Sequence, residues 1–344
     1  MVKCRANARI GIMGNPSDGF YGRTIAGSIK NFYAEVTLTE SATLCIQPHP
    51  TFDITDFQTI QSLANQIKNN GCHGGIRLIY ATCKQFVDYC IANDIELHDK
   101  NFTIKYDTNI PRQVGLGGST AIIAALWAAL MEFYNILDST IPLRYRPGLL
   151  LDVEINELGI NAGLQDRVAI VYGGIIYMKF DKNIMNDTGS GIYERLMLPK
   201  LPNFFVAYSS NFGRDSGRMH NPIRQRFDAG DYAVLSAMAT FADYATNARK
   251  ALLNGDFIEL GKLMRLNFAL RREIYGDAII GKCNLKLISI AERFGLPVKF
   301  PGSGGSVIGL YDSQNQLDDL RHEYKCSGFY CEPIVFAEST DTVD

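Results

Sequence analysis

Residues 111–130 read PRQVGLGGSTAIIAALWAAL, and this run constrains the fold more than any other part of the chain. A stretch that is apolar and alanine-rich on nearly every side is a buried helix, so other elements must be layered around it. The residues predict a helix over 119–134, beginning at Ser119. Just before it, Gly115, Gly117 and Gly118 let the backbone turn tightly and bring its N–H groups close to an anion. A helix start adds unpaired donors and roughly half a positive charge from the macrodipole.

On its own the loop has two readings, a phosphate cradle or a helix cap after a tight turn. A Walker A loop would need a lysine that is missing here, and the dinucleotide spacing GxGxxG is incomplete. The loop also follows about 110 residues rather than opening the chain, so a dinucleotide-dependent oxidoreductase is set aside.

At 344 residues the chain is longer than one hydrophobic core usually serves, which predicts two lobes. ARIGIM, AEVTLTES and NFTIKYD alternate as half-buried strands do. Between 56 and 93 apolar positions recur every three or four residues around the glycines of NNGCHGG, predicting two helices and a turn. LLLDVEINELGI reads as a helix ending at Gly159, and VAIVYGGIIYMKFD as mostly strand. The polar, glycine- and proline-bearing KNIMNDTGSGIYERLMLPKLPN is taken as the crossing between lobes, with a boundary near residue 186. Beyond it come the strand FFVAYSS, helices over 232–253 and 257–272, the helix LKLISIAERFG, and PGSGGSVIGLYD. Helices and strands mix without strict βαβ alternation, so the fold class is α+β rather than doubly wound.

Composition narrows the partners. With 47% hydrophobic and 20% charged residues the chain has an ordinary globular balance, and its formal charge of −2 argues against nucleic acid. No run of about 18 apolar residues could span a bilayer, and the N-terminus lacks a signal-like apolar region, so a cytoplasmic protein with no membrane partner is expected. The eight cysteines show no CxxC pair and read as reduced, buried thiols. His49, His73, His98, His220 and His322 are scattered without metal-ligand spacing.

Three further stretches carry possible chemistry. EINELGINAGLQDRVAIVYGG gathers Glu154, Glu157 and Asp166. Carboxylates near a phosphate loop suggest Mg²⁺ and a group that orients a hydroxyl nucleophile. The plain alternative is a solvated helix face for Glu154 and Glu157 and a helix cap for Asp166. ARIGIMGNPSDGFYGRT runs a strand into a polar turn with Asn15, Ser17 and Asp18, and Arg9 upstream. KFPGSGGSVIGL is a second glycine loop, in which Gly302, Gly304 and Gly305 permit close approach to a ligand or to another loop.

Taken together and in this order, the four stretches resemble the GHMP kinases, the family of galactokinase, homoserine kinase, mevalonate kinase and phosphomevalonate kinase. PRQVGLGGSTA matches the family's PxxxGLGSSAA from Pro111 to Ala121, with Gly118 in place of its first serine. The resemblance implies a two-lobed fold, with a ribosomal-S5-domain-2-like lobe over 1–185 and a ferredoxin-like α/β lobe over 186–344. It implies ATP held by Pro111, Gly115, Leu116, Gly117, Gly118, Ser119 and Thr120, and Mg²⁺ by Ser119 and Glu154. Asp166 would be the catalytic acid-base group, and Arg9 would lie near the transferred phosphate. Asp18 and Ser17 would hold the sugar, Asn15 replaces a family glutamate, and Gly302, Ser303 and Gly304 match the C-terminal glycine motif on the substrate side.

GNPSDGFYGRTI, ELGINAGLQDRVAIVYGG, RDSGRMH with IRQRF, and KFPGSGGSV look like a plant-type subgroup that phosphorylates D-glucuronate at C1. The expected reaction makes D-glucuronate 1-phosphate for UDP-glucuronate synthesis, in a monomer or homodimer. A uronate needs a cationic partner, because an unpaired carboxylate in a closed site costs several kcal/mol. RDSGRMHNPIRQRF offers Arg214 or Arg218, with Arg218 favoured, and places Arg224 and Arg226 on a solvated helix face. Galacturonate, arabinose or a heptose phosphate are the rival substrates. A silent sugar sensor fits less well, since Ser119, Glu154 and Asp166 are all present.

Overall fold

The computed structural model describes residues 1–70, 74–160, 162–209 and 222–338. The apolar run after the glycine loop is the helix Gly118–Phe133, which starts one residue before Ser119, with Gly117 at φ +81° as its N-cap. Trp127, Ile123, Leu126 and Leu130 are all buried on it, so it is covered on several faces. The helices Ile76–Ala92 and Leu164–Tyr172 pack against it, and Phe86 meets Trp127 edge-on with ring centroids 5.2 Å apart. Each such large apolar side chain contributes about 1.5–3 kcal/mol by leaving water.

The chain divides into two compact units, each assembled from separated stretches: Met1–Ala8, Phe32–Ile110 and Gly117–Tyr172 in the first, Arg9–Asn31, Pro111–Leu116 and Gly173–Asp344 in the second. In the first, the C-terminal half of the long strand Arg23–Ser41 runs antiparallel to Asn101–Thr108, with Val36 opposite Tyr106 and Leu38 opposite Ile104. The short strand Cys45–Ile46 adds in parallel to Asn101–Thr108. The pattern between 56 and 93 becomes the helices Ile60–Asn70 and Ile76–Ala92, as the spacing predicts.

The second unit holds a four-stranded antiparallel sheet in the order Phe329–Pro333, Phe204–Ser209, Ser306–Leu310, Val298–Lys299. The helices Phe257–Tyr275 and Lys282–Arg293 pack on its Val298–Lys299 and Ser306–Leu310 strands, and Gln314–Cys326 on Phe329–Pro333. Tyr232–Asn254 lies along Phe257–Tyr275. Side chains of Asp231 and Asp256 cap these two helices by accepting backbone N–H bonds, which removes orphan donors at each start. In the same unit, Ile175–Lys179 pairs antiparallel with residues 23–27 and with Ile192–Arg195. Strands and helices mix without strict βαβ alternation, which is the expected α+β class.

Three local expectations change. VAIVY belongs to the helix Leu164–Tyr172, and the strand begins only at Ile175, after Gly173 and Gly174 turn the chain with positive φ. A short, mostly buried apolar run carries no period by which helix and strand can be told apart. The polar stretch after Asp181 contains a helix, Lys182–Thr188, capped by Asp181 and stopped by Gly189 at φ +66°, and then the strand Ile192–Arg195. The cysteines are free among the described residues, but only Cys90 and Cys331 are buried, and Cys45 and Cys326 are exposed. His73 and Cys72 lie outside the described residues. Among the described residues no helix is long and apolar enough to cross a membrane.

Candidate active site

In the first unit the site is built on two helical turns. The helix Arg146–Asp152 widens into a turn of π-helix over Val153–Glu157, and this turn carries Glu154. Such widened turns are frequent at functional sites. Glu154 is only 1% exposed, so it is not the solvated face that its neighbourhood allowed, whereas Glu157 does pair at the surface with Lys84 at 2.8 Å. The Ser119 hydroxyl donates to Glu154 Oε1 at 2.7 Å, and the Thr120 hydroxyl approaches Oε2 at 3.4 Å. Arg167, which is 3% exposed, forms an ion pair with the same carboxylate and lies 3.9 Å from Asp166 Oδ2. It also donates to the carbonyl of Gly163 at 2.8 Å. Asp166 stands in the first turn of Leu164–Tyr172, with its side chain 23% exposed, so a buried arginine joins the two acids while one of them reaches solvent.

A hydroxyl and a carboxylate in contact form a set of hard oxygen donors. Magnesium takes one or two carboxylates and completes its octahedron with phosphate oxygens and water, so Ser119 and Glu154 fit it. No group of three or more His, Cys, Asp or Glu side chains able to hold a metal occurs among the described residues, which a cage-type site would require.

The second unit shapes the glycine loops. Gly115 has φ +70°, and a Cβ there would lie 2.8 Å from the carbonyl oxygen of Gly304. A Cβ on Gly302 would come within 2.3 Å of the Gly115 oxygen, and one on Gly305 within 2.6 Å of the Gln113 oxygen. The two loops are therefore packed backbone to backbone, and the second glycine motif serves as the floor of the first. Ser306 locks the contact by donating its hydroxyl to the Val114 carbonyl at 2.6 Å, and Gly305 N–H donates to Asn284 at 2.8 Å. Gly118 is different: a Cβ there would make only an ordinary contact with Ile110 at 3.4 Å, so the backbone does not demand glycine at that position.

Arg9 reaches this loop from the strand Val2–Met13. Its backbone N–H donates to the Leu116 carbonyl at 3.1 Å, and its guanidinium to the Gly115 carbonyl at 2.5 Å. Two residues on, Gly11 N–H donates to the Pro301 carbonyl at 2.9 Å. The strand end thus tethers both glycine loops. Past it, Gly14 turns the chain, since a Cβ there would strike the Arg23 oxygen at 2.2 Å. Ser17 is fully buried and donates its hydroxyl to that same carbonyl at 3.0 Å, which closes the turn that carries Asp18.

Beneath the turn lies a set of polar residues that the sequence does not advertise. Lys299 is 1% exposed, and its ammonium donates to Asn15 Oδ1 at 2.6 Å, to the Phe300 carbonyl at 2.7 Å and to the Gly11 carbonyl at 2.9 Å. Burial, and then the charges of Arg271 and Arg9, push its pKa well below the ordinary value. Arg271 is 4% exposed and donates to the carbonyls of Gly302 at 2.8 Å and Ser303 at 3.4 Å. Its guanidinium lies over the rings of Phe300 and Tyr275, and burial lowers its pKa while Tyr275 and Asp18 act the other way. Asn267 accepts from Gly14 N–H at 3.0 Å and donates to the Asn15 carbonyl at 3.3 Å.

Of the expected residues, then, Ser119, Thr120, Glu154 and Asp166 come together in the first unit. Pro111, Gly115, Leu116, Arg9, Ser17, Asp18, Gly302, Ser303 and Gly304 belong to the second. Gly117 and Gly118 lie at the start of the helix in the first. Arg214 and Arg218 lie outside the described residues. Arg224 pairs with Asp228 and Arg226 with Asp231 at partly exposed positions, as a solvated helix face requires. Arg167, Arg271, Lys299 and Asn267 were not anticipated. The one available signal was Lys299, a lysine set between Val298 and Phe300 immediately before a glycine loop.

Comparison with known proteins gives this arrangement a lineage. Residues 77–174 match the GHMP kinases N terminal domain and residues 248–331 the GHMP kinases C terminal. Glucuronokinase 1 of Arabidopsis thaliana is 44% identical over 98% of this chain and 93% of its own. Probable glucuronokinase 2 of the same plant is 45% identical over 96% and 90%. The crystal structure of Lactococcus lactis galactokinase complexed with galactose superposes with a TM-score of 0.71 at 17% identity, covering 98% of this chain and 94% of that one. The two-lobed α+β fold implied by the sequence motifs is the fold that such structures share, and the chain belongs to the GHMP kinase family.

Proposed function

We propose that the chain is an ATP-dependent sugar-1-kinase that phosphorylates D-glucuronate to D-glucuronate 1-phosphate, supplying UDP-glucuronate synthesis. The observation that carries the phosphoryl chemistry is the 2.7 Å contact between the Ser119 hydroxyl and the buried Glu154 carboxylate at the start of the loop-following helix. The choice of sugar rests on the two plant glucuronokinases, each matched over at least 90% of its length.

In this reading the stretch Pro111, Gly115, Leu116, Gly117, Gly118, Ser119 and Thr120 receives the phosphates of ATP, on the backbone N–H groups of the residues after Pro111 and on the helix start. Ser119 and Glu154 hold Mg²⁺, which when bound offsets charge on the phosphate oxygens. Asp18, with Ser17 beside it, binds the sugar, and Gly302, Ser303 and Gly304 border it. Asp166 orients the anomeric hydroxyl and accepts its proton as the oxygen–phosphorus bond forms and the bond to the ADP oxygen breaks. An anomeric hydroxyl is more acidic than an ordinary alcohol, so a carboxylate suffices as base. Arg9 stabilises charge on the transferred phosphoryl group, and Arg218 pairs with the sugar carboxylate. Residues 1–185 then carry the nucleotide and the acids, and 186–344 cover the substrate. The enzyme works in the cytoplasm as a monomer or homodimer.

A coupled assay for ADP release with ATP, Mg²⁺ and a panel of glucuronate, galacturonate, glucose, arabinose and a heptose phosphate tests the reading. Glucuronate is expected to give the highest kcat/KM. Equal use of a neutral sugar refutes the choice of substrate. In Asp166→Asn, turnover is expected to fall by roughly two orders of magnitude or more with nucleotide binding nearly intact. Near-normal turnover in that variant removes Asp166 from the mechanism.

A further inference from the structure

The two oxygens of Glu154 have different partners, all of them in the first unit. Oε1 accepts the Ser119 hydroxyl at 2.7 Å, while Oε2 is held by a terminal nitrogen of Arg167 and approached by the Thr120 hydroxyl at 3.4 Å. Arg167 is fixed where it stands. It is buried, its other terminal nitrogen donates to the Gly163 carbonyl at 2.8 Å, and that same nitrogen lies 3.9 Å from Asp166 Oδ2. Glu154 and Thr120 are buried as well, so the carboxylate is enclosed with its donors already assigned. A planar guanidinium suits this task, because its donors point in fixed directions and can serve a carbonyl and a carboxylate at once.

This division of the carboxylate bears on which cation it accepts. Ca²⁺ gathers roughly six to eight oxygens in a flexible shell and readily takes both oxygens of one carboxylate. Mg²⁺ is smaller, demands a near-ideal octahedron and is satisfied by few carboxylate oxygens beside phosphate and water. With Oε2 committed to Arg167, Glu154 presents Oε1 as its oxygen for a metal, next to the Ser119 hydroxyl. The guanidinium also stands between Glu154 and Asp166, where a larger ion would gather oxygens from both acids. We propose that Arg167 is a positioning residue that sets the choice of divalent cation: by holding Oε2 it restricts Glu154 to one-point ligation and so selects Mg²⁺ over Ca²⁺. The assignment rests on the reading above in which Ser119 and Glu154 hold the metal, and it adds to that pair a residue that acts through Glu154.

The experiment is isothermal titration calorimetry of a non-hydrolysable ATP analogue into the full chain, with saturating Mg²⁺, with saturating Ca²⁺ and with EDTA. Wild type, Arg167→Met and Arg167→Lys are compared in the cold, with thermal melts to certify folding. The readout is the ratio of affinities in Mg²⁺ and in Ca²⁺. Losing a positive charge strengthens two divalent cations alike, whereas a freed Oε2 favours the larger one, so a merely electrostatic or structural role leaves the ratio unmoved. In the wild type, Mg²⁺ is expected to support binding at least tenfold tighter than Ca²⁺. Arg167→Met is expected to lower that ratio about tenfold, chiefly by tightening binding in Ca²⁺, and Arg167→Lys, which keeps a cationic donor for Oε2, to retain most of it. The proposal is overturned if folded Arg167→Met keeps a ratio within threefold of wild type, or if Arg167→Lys loses the preference as fully as Arg167→Met. It is also overturned if the wild type binds the analogue equally well with either cation and more tightly than in EDTA, a result that needs no variant to fold. An affinity that EDTA leaves unchanged overturns instead the reading that Ser119 and Glu154 hold a metal, which distinguishes the two failures.

Discussion

Removing the Arg167 guanidinium is the sharpest perturbation that the acidic half of the site offers. Glu154 and Arg167 are 1% and 3% exposed, and among the described residues Glu154 keeps the hydroxyl donors of Ser119 and Thr120 if the arginine is replaced. Breaking a buried ion pair from one side costs about 3–5 kcal/mol, because the remaining charge is left desolvated. For a domain of this size that corresponds to a fall in melting temperature on the order of 10 °C for Arg167→Met. The double variant Glu154→Gln with Arg167→Met has no stranded charge and is expected to recover most of the loss, so a double-mutant cycle isolates the pair. Mg²⁺ with a non-hydrolysable ATP analogue is expected to raise the melting temperature of Arg167→Met more than that of wild type, because a cation at Glu154 replaces the missing one. Differential scanning fluorimetry with and without nucleotide reads both effects. If Arg167→Met melts within about 2 °C of wild type, the pair does not stabilise the fold and the reasoning fails.

Three more outcomes follow from the geometry. Gly302→Ala forces a Cβ to within 2.3 Å of the Gly115 oxygen and is expected to cost roughly 1–3 kcal/mol and raise KM for ATP, whereas Gly118→Ala, with its nearest contact at 3.4 Å, leaves both nearly unchanged; equal effects would contradict the packing of the two loops. Lys299 is held below its ordinary pKa of 10.5, so in the alkaline range up to that value the unfolded chain binds a proton that the folded chain does not. Stability of the wild type relative to Lys299→Met should therefore rise with pH there, and parallel denaturation curves would refute the assignment. Iodoacetamide at pH 8 should label Cys45 and Cys326 first by peptide mass spectrometry, and Cys83 and Cys331 last, since burial raises the last two thiols to about 12; early labelling of Cys83 would show that its surroundings open readily.

Much of the site was legible because its parts need special residues. A loop that turns through Gly115 and Gly117 at positive φ and then starts an apolar helix announces itself by glycine and alanine. Burial was the harder quantity. Glu154 and Glu157 are alike in sequence, yet one is enclosed on a π turn and the other reaches Lys84 at the surface. Arg271 and Arg272 are adjacent in one helix, and only the fold decides that the first is buried under the glycine loop while the second pairs outside with Asp277. The helix at VAIVY is hidden from the sequence for a related reason, since a short, mostly buried apolar segment leaves no polar stripe to reveal its period.

The interlock of the two glycine loops carries a consequence for how the chain comes to life. Residues 111–116 are synthesised long before 302–306, yet the earlier loop rests on the later one through contacts that admit no side chain. A nascent chain that has emerged only as far as Pro301 contains every residue of the first glycine loop and lacks its floor. In the proposed reading, nucleotide binding is withheld until the chain has been made at least through Ser306, and a truncated product ending before it would carry the motif without the capacity.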